Sequence, residues 1–219
     1  MCASPVTLSV IALTEAAADS LPGWRYLRAN MRFVTSPCPG VTVTIEPIWG
    51  FHTWYANSQP AATLESTLVT KAFVSVFNRK PTSPLIIVLY QHIYRNTGRL
   101  AYMPTFWEDI PNRRNEDERL VDDVPDYIAE LFEDYTQYIA PRFDFTSQRA
   151  FLRSLPEDYT YHGDPTQNIL GYLIVRCMLG DPEAIDRFVA DSGVPQIVRD
   201  ELSSDITVLK ARAYSLRLA

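Results

Sequence analysis

The sequence predicts an α+β fold, with an N-terminal helix, an antiparallel sheet of about four or five strands, and a C-terminal helical region. Strand-type patterns are concentrated before Trp107, whereas helical periodicity and helix-capping residues dominate after it. The regular alternation of strands and helices that predicts a parallel sheet is missing. At 219 residues, 47% of them apolar and 21% charged, the chain can bury a sizeable core.

The first predicted element is a helix that begins with Ser4 as its N-cap and Pro5 in its first turn. Its apolar residues recur at helical spacing: Val6, Val10, Leu13 and Ala17. This segment differs from a secretory signal because no Lys or Arg precedes Arg25 and polar residues interrupt the apolar stretch. We therefore expect the helix to stay in the mature chain.

Strand patterns follow the first helix. Residues 24–35 are rich in aromatics and arginine, and residues 41–49 alternate apolar with polar side chains, so the two are predicted to form a hairpin. Residues 68–78 (LVTKAFVSVFN) are the next predicted strand. For residues 84–94 (PLIIVLYQHIY) the β-branched residues favour a strand, although a buried helix would have the same continuous apolar pattern.

Two irregular segments are also predicted in this half. Residues 50–63 (GFHTWYANSQPAAT) are typical of a polar-aromatic loop, and residues 96–104 of a turn into a short edge strand that ends at Pro104. The first region, residues 1–107, therefore comprises the N-terminal helix and the antiparallel sheet.

The second region, residues 108–219, is predicted to be an acidic loop and a helical region that packs with the first region as one domain. One helix is predicted from about Asp123 to Ala140, and Thr146 or Ser147 can cap a short helix after it. Asp-Pro pairs at Asp164 and Asp181 are typical of helix starts, and glycines close both helices. One broken helix or two consecutive helices are predicted to complete the chain.

The charge is unevenly distributed. Residues 1–107 carry 8 basic and 4 acidic side chains, whereas residues 108–219 carry 12 basic and 22 acidic ones. This imbalance argues against a nucleic-acid partner, which would require a basic face. No apolar run approaches the ~20 residues of a membrane span. The three cysteines, Cys2, Cys38 and Cys177, are too scattered for a disulfide framework, which favours a reducing cytoplasm.

The helix predicted at 123–140 is unusually acidic. On an ideal helix its apolar residues fall on one side, and the other side is predicted to carry a cluster of carboxylates: Asp126, Glu130, Glu133 and Asp134. Two like-charge pairs, Asp126 with Glu130 and Glu130 with Asp134, each cost about 0.2–0.5 kcal/mol. No basic residue occurs between Arg119 and Arg142 to offset them.

Two interpretations of this cluster remain open. The carboxylates can be a solvated face, neutralised from the preceding loop by Arg113, Arg114 or Arg119. Alternatively, they form a recognition surface for a basic protein, with Tyr127 and Tyr138 as aromatic anchors at the helix edge.

The search for catalytic motifs is negative. The sequence has no phosphate-binding loop, zinc-protease helix, nucleophile elbow or C-x-x-C pair, and its three histidines, His52, His92 and His162, fit no zinc spacing. We predict no catalytic residue, metal or cofactor. The second candidate site is the aromatic loop, with His52, Trp54, Tyr55 and Asn57. Its structural alternative is that Trp54 and Tyr55 fold back over the sheet.

The stretch LPGWRYLRANMRFV after a helix, the following hairpin and the stretch GDPEAIDRFVADSG together resemble small bacterial proteins of the polymorphic-toxin immunity type. The resemblance implies a non-enzymatic protein whose acidic surface masks a basic toxin. Two other classes remain open: a hydrolase with a site around His52 or His92, and a structural or regulatory scaffold, including a homo-oligomer.

Overall fold

The fold is α+β, as predicted, with an N-terminal helix, antiparallel strands and C-terminal helices. The computed structural model describes residues 3–82, 84, 86–89, 104–109, 118–155 and 165–217. Several predicted features lie outside the described residues: the edge strand before Pro104, His92, Arg113, Arg114, His162 and the helix start at Asp164.

The described elements follow one another along the chain. Helix α1 spans Pro5–Ala18, and six strands follow it: β1 (Arg25–Leu27), β2 (Arg32–Cys38), β3 (Val41–Glu46), β4 (Trp49–Phe51), β5 (Tyr55–Ser58) and β6 (Ala61–Ser66). Next come helix α2 (Thr67–Phe77) and the strands β7 (Ile86–Leu89), β8 (Thr105–Trp107) and β9 (Glu118–Leu120). The helical region comprises α3 (Val124–Asp134), α4 (Gln148–Arg153), α5 (Pro165–Met178), α6 (Ala184–Ala190) and α7 (Gln196–Arg212).

The described strands form two sheets, with the orders β1-β2-β3-β6-β7 and β4-β5-β8-β9. In the larger sheet β1 and β2 are antiparallel, and β3 has the predicted alternation, with Val41, Val43 and Ile45 buried. In the smaller sheet β5 pairs antiparallel with β4 and β8, whereas β8 and β9 are parallel. The strand β7 confirms the preferred interpretation of residues 86–89.

The two predicted serine caps explain where their helices begin. Ser4 Oγ accepts the Thr7 N–H at 3.2 Å, and Ser147 Oγ accepts the Ala150 N–H at 3.0 Å, so both predicted caps are confirmed. These two bonds satisfy backbone donors that the first turn of a helix leaves without partners.

The predicted cap at Asp181 is wrong. Its carboxylate instead accepts hydrogen bonds from Arg176 at 2.7 Å and Arg187 at 2.5 Å, and Glu183 directly precedes α6. Burial raises the pKa of Asp181, but the hydrogen bonds and charges of Arg187 and Arg176 outweigh it and hold that pKa below its ordinary value.

The strand predicted at residues 68–78 is also wrong, because these residues form helix α2. Ser66 Oγ accepts the Val69 N–H at 3.5 Å, and Asn78 ends the helix in the left-handed conformation, with φ of 53°. Its buried side chains recur at helical spacing: Val69, Phe73 and Val76. The prediction followed the β-branched content of this segment, whereas spacing and caps decide its structure.

The loop predicted at residues 50–63 is wrong as well, because it contains most of β4 and β5 and the start of β6. The strands β4 and β5 have three and four residues, and small or polar side chains fill their buried positions, such as Ala56 and Ser58. Such short strands lack the apolar alternation by which strands are recognised.

The chain divides into two compact units that interleave along the sequence. Unit 1 comprises residues 1–35, 43–63 and 88–142, and unit 2 comprises residues 36–42, 64–87 and 143–219. The sequence-based boundary at residue 107 therefore does not coincide with a boundary between the two units. It separates a region predicted to contain the sheet from one predicted to be helical.

Each unit has its own apolar core. In unit 1 helix α1 packs against α3, and the Trp24 ring meets Phe132 edge-to-face at 4.8 Å, with Phe33 on the same Phe132 ring at 5.1 Å. In unit 2 the buried residues come mainly from α2 and the C-terminal helices: Phe73, Phe151, Leu173, Ile185, Phe188, Leu202 and Leu209.

Candidate functional site

Helix α3 begins where the sequence predicted and keeps α-helical geometry for a shorter length than expected. The Asp123 carboxylate accepts the Leu120 N–H at 2.9 Å just before the helix, and Pro125 lies in its first turn. The α-helix ends at Asp134, and residues Tyr135–Ile139 continue as a π-helical segment, which the predicted helix to Ala140 did not anticipate.

The apolar side of α3 faces the interior of unit 1. Tyr127 is 2% exposed, and its ring contacts Phe106 at 5.2 Å and Trp49 at 5.8 Å. The Tyr127 hydroxyl lies 2.6 Å from Ser58 Oγ, which also donates to the Pro47 carbonyl, so Tyr127 donates to Ser58. The predicted position of Tyr127 as an accessible anchor at the helix edge is therefore wrong.

The predicted position of Asp134 is wrong too, because this residue is 1% exposed. Asp134 follows Tyr127 by seven residues and Leu131 by three, and on an ideal helix it lies only about 20° from Tyr127. Its helical spacing therefore already placed it at the edge of the apolar side, and the exposed cluster loses one of its four carboxylates.

Glu130 is the carboxylate for which the neutralising interpretation holds. Arg119 donates to its two oxygens at 3.0 and 2.8 Å, in the bidentate geometry that makes arginine–carboxylate pairs strong. The Arg119 guanidinium also lies 5.5 Å from the centre of the Tyr127 ring. The Glu130 side chain remains 42% exposed, so this pair contributes only modestly to stability.

Asp126 and Glu133 are exposed, as predicted. Glu133 Oε1 accepts a hydrogen bond from Gln137 Nε2 at 2.7 Å, and neither carboxylate has an ion pair among the described residues. Seven residues separate the two, so they lie about two turns apart on the same side of α3. They are the fully exposed part of the predicted cluster.

The second predicted tyrosine, Tyr138, lies in the π-helical segment and is partly exposed. Its neighbour Tyr135 is buried against Trp24, with ring centres 5.4 Å apart, and burial raises the pKa of Tyr135 to about 12. Tyr138 is therefore the aromatic side chain that can contribute to a surface beside Glu133.

The aromatic segment is the turn and second strand of the β4–β5 hairpin. Trp54 is 74% exposed at the turn, so it does not fold back over the sheet. Tyr55 is itself a residue of β5 and lies opposite Trp107 on β8, with ring centres 4.8 Å apart. The His52 ring stacks on Tyr55 at 4.3 Å. The predicted alternative therefore does not hold for Trp54, and Tyr55 forms part of the sheet that it was expected to cover.

Asn57 lies on the same face of the hairpin as Tyr55. It is opposite Gly50, where an added Cβ atom would be 2.2 Å from Asn57 Oδ1. This oxygen is buried and has no hydrogen-bond partner among the described residues. The structure thus brings His52, Tyr55 and Asn57 to one face and leaves Trp54 at the tip.

The described contacts of His52 do not favour the hydrolase alternative. Its ring stacks on Tyr55, and its backbone carbonyl accepts from Ser4 Oγ at 3.3 Å. Both described cysteines are buried; burial, together with the charge of Asp181, raises the pKa of Cys177 to about 11. Among the described residues no group of three His, Cys, Asp or Glu side chains is placed to hold a metal ion.

A pocket that the sequence did not indicate lies in unit 1 where β2 and β4 begin. It has a volume of about 310 Å³ and is lined by six residues: Asn30, Met31, Arg32, Glu46, Ile48 and Trp49. The sequence signal for this pocket is weak, because Arg32 and Glu46 lie in the two segments of the predicted hairpin, where polar side chains are expected on the solvated face.

Comparisons with family models, characterised proteins and solved structures found no match to this chain. Within the described ranges, no helix combines the length and the apolar character that a bilayer span needs.

Proposed function

We propose that this chain is a non-enzymatic protein-binding protein, of the immunity or inhibitor type, that masks a basic partner. The observation that carries the proposal is the pair Asp126 and Glu133, exposed on one side of α3 without an ion pair in the described part of the chain. Glu130 between them, half-exposed and neutralised by Arg119, adds acceptor oxygens but little net charge.

An ordinary solvated helix would place a basic side chain within one turn of each carboxylate, because such pairs stabilise a helix by about 0.2–0.5 kcal/mol. The positions one turn from Asp126 and Glu133 include Glu130 and Gln137, and neither is basic. A lysine- or arginine-rich partner would supply the missing charges. Tyr138 would add aromatic contact at the end of this surface.

The resemblance to toxin-immunity proteins suggests a toxin as the partner. Exposed carboxylates on one face attract a basic protein over a distance of about a Debye length, roughly 10 Å at 0.1 M salt. Association should therefore be fast at low salt and slow as salt rises. The scattered cysteines, of which Cys38 and Cys177 are buried free thiols, suggest the cytoplasm as the place of action.

The test compares wild type with Asp126→Lys/Glu133→Lys as baits in a native lysate at low salt. Asp200→Lys/Glu201→Lys is the matched control, because it reverses two exposed carboxylates on α7 and changes the net charge equally. We expect wild type and the control to retain a basic protein that the α3 variant loses. Circular dichroism would establish that all three baits are folded.

The captured protein is then purified and its association rate measured against salt concentration. We expect the rate to fall steeply between low and moderate salt for wild type and much less for the α3 variant. A rate that does not depend on salt, or equal loss of the partner from both double variants, would contradict recognition through α3.

A further inference from the structure

The outer face of the smaller sheet presents two cross-strand rows of side chains that differ in size and polarity. The first row is aromatic, with the rings of His52, Tyr55 and Trp107 side by side. The second row is small or polar: Gly50, Asn57 and Thr105. Because every second residue of a strand lies on the same face, the two rows border each other. Both rows belong to unit 1.

The aromatic row offers ring edges to a ligand. The His52 and Tyr55 rings stack with an angle of 22° between their planes, and the Tyr55 and Trp107 rings are tilted by 37°. Rings that cover one another's faces leave their edges outward, and the edge of an aromatic ring attracts the face of another π-system. A planar ligand that stands on the second row therefore turns its face towards these edges.

The second row offers an amide whose acceptor is unused. Asn57 is partly exposed, and its Oδ1 is buried beside Gly50 without a hydrogen-bond partner among the described residues. The χ2 torsion of asparagine is broad, so the amide can turn this oxygen outward without losing a hydrogen bond. An amide has a donor and an acceptor side by side. Its complement is a ligand edge with an adjacent acceptor and donor.

A second unsatisfied group lies diagonally across the strands. Trp107 Nε1 is buried and has no hydrogen-bond acceptor in the part of the chain that the structure describes. Trp107 follows Thr105, the partner of Asn57, by two residues, so such diagonal neighbours are about 7–8 Å apart. Buried polar groups are nearly always hydrogen-bonded, and two exceptions on one partly exposed face indicate a place where a ligand supplies the partners.

The charges beside the two rows favour a neutral ligand. No residue of either row is a lysine or an arginine, and two exposed acids, Glu108 and Asp109, directly follow Trp107. These carboxylates repel a phosphate group. An uncharged ring system is therefore better suited to this face than a nucleotide or a nucleic acid.

We propose that this face binds the adenine base of a neutral nucleoside. The base stands on the second row and turns its face to the edges of the Tyr55 and Trp107 rings. Its amino group donates to Asn57 Oδ1 and its N7 accepts from Asn57 Nδ2, which is the pairing of asparagine with adenine. A purine also covers more of the aromatic row than a single-ring base. The inference does not depend on the acidic surface of α3.

Nuclear magnetic resonance of the indole N–H groups tests the proposal directly. The chain has four tryptophans, and the Trp107 signal is assigned with Trp107→Phe. Trp49 is the internal control, because its ring contacts Phe106 and Tyr127 on the inner face of the same sheet. We expect adenosine to shift the Trp107 signal saturably, with half-saturation below about 5 mM, and to leave the Trp49 signal in place.

Three further probes separate the parts of the ligand. Purine riboside lacks the amino group, so it should bind about tenfold more weakly than adenosine or worse. Ribose alone should not shift the Trp107 signal. Adenosine monophosphate should bind more weakly than adenosine at low salt, and the difference should shrink as salt screens the carboxylates.

Variants test the contribution of the amide and of the aromatic row. Asn57→Asp keeps the shape of the side chain but loses the donor, so adenosine should bind about tenfold more weakly. Asn30→Asp is the matched control, because it makes the same change at an exposed amide elsewhere in unit 1, and its affinity should equal that of wild type. Tyr55→Leu should weaken adenosine binding about fivefold through the lost ring. An unchanged Trp49 signal establishes that each variant is folded.

Four results would overturn the proposal. The first is an unmoved Trp107 signal in wild type at about 5 mM adenosine. The second is equal affinity for adenosine and purine riboside, which would mean that the amino group is not recognised. The third is unchanged adenosine affinity in a folded Asn57→Asp variant. The fourth is tighter binding of adenosine monophosphate than of adenosine, which would mean that the site recognises phosphate.

Discussion

The smaller sheet carries aromatic clusters on its two faces, and they have different environments. On the inner face Phe106 is 0% exposed and contacts Tyr127 of α3. On the outer face Tyr55 lies against Trp107, and both side chains are partly exposed. Because side chains alternate along a strand, adjacent residues of β8 belong to the core and to the surface. The covering helix, and not the residue type, decides which cluster is structural.

The largest expected effect is from Phe106→Ala on the inner face. Removing a fully buried phenylalanine leaves a cavity and should lower the free energy of unfolding by about 3–5 kcal/mol. Tyr55→Ala on the outer face should cost about 1–2 kcal/mol, because its ring is already partly in water. Urea denaturation measures both, and equal costs would contradict the distinction between the faces.

On the inner face, removing the Ser58 hydroxyl should cost more stability than removing the Tyr127 hydroxyl to which it is hydrogen-bonded. Ser58→Ala removes the hydroxyl that bonds both the buried Tyr127 hydroxyl and the Pro47 carbonyl, and it should cost about 1–3 kcal/mol. Tyr127→Phe should cost about 0.5–1.5 kcal/mol, because Ser58 still donates to Pro47. In a double-mutant cycle Ser58→Ala should cost less in the Tyr127→Phe background. Strictly additive costs would mean that the two hydroxyls do not interact.

On the outer face, Gly50→Ala should cost about 1 kcal/mol. The new Cβ would lie 2.2 Å from Asn57 Oδ1, so the Asn57 side chain has to move. In an Asn57→Ala background the same substitution should be neutral or stabilising, because the obstructing oxygen is gone. An equal loss in both backgrounds would place the strain in the backbone of β4.

The smallest effect is expected at the hairpin tip. Trp54→Ala should change the free energy of unfolding by less than about 0.5 kcal/mol, since the Trp54 side chain is 74% exposed. The measurement is a urea titration followed by circular dichroism, which does not depend on the lost indole. Substitutions at exposed positions usually change the free energy of unfolding by no more than about 0.5 kcal/mol, so a loss above about 1 kcal/mol would mean that Trp54 has a structural contact.

Local signals were sufficient for several parts of the fold. The caps at Ser4 and Ser147 and the alternation of Val41, Val43 and Ile45 each depend on a few neighbouring residues, and each was predicted. Helix α2 was within reach of the same reasoning, because its buried residues have helical spacing and Asn78 is a typical C-cap. Asp134 was also within reach, from its spacing to Tyr127.

Other features depend on contacts that are distant in sequence. The bond between Arg119 and Glu130 requires a strand and a helix to meet in a particular geometry. The hairpin of β4 and β5 is completed by β8, which begins about fifty residues after β5 begins. Ile48 has a left-handed backbone conformation, which β-branched residues rarely adopt. Its residue type therefore gave no reason to predict this conformation.

Because the two compact units interleave along the sequence, neither can be isolated by simple truncation of the chain. Each unit is assembled from three separate stretches of chain, and four strands pass from one unit into the other: β2, β3, β6 and β7. No single cut therefore yields either unit free of residues from the other. Internal deletions with new linkers, or a circular permutation, would be needed to isolate either unit, and an insertion that splits the gene at residue 107 would interrupt unit 1.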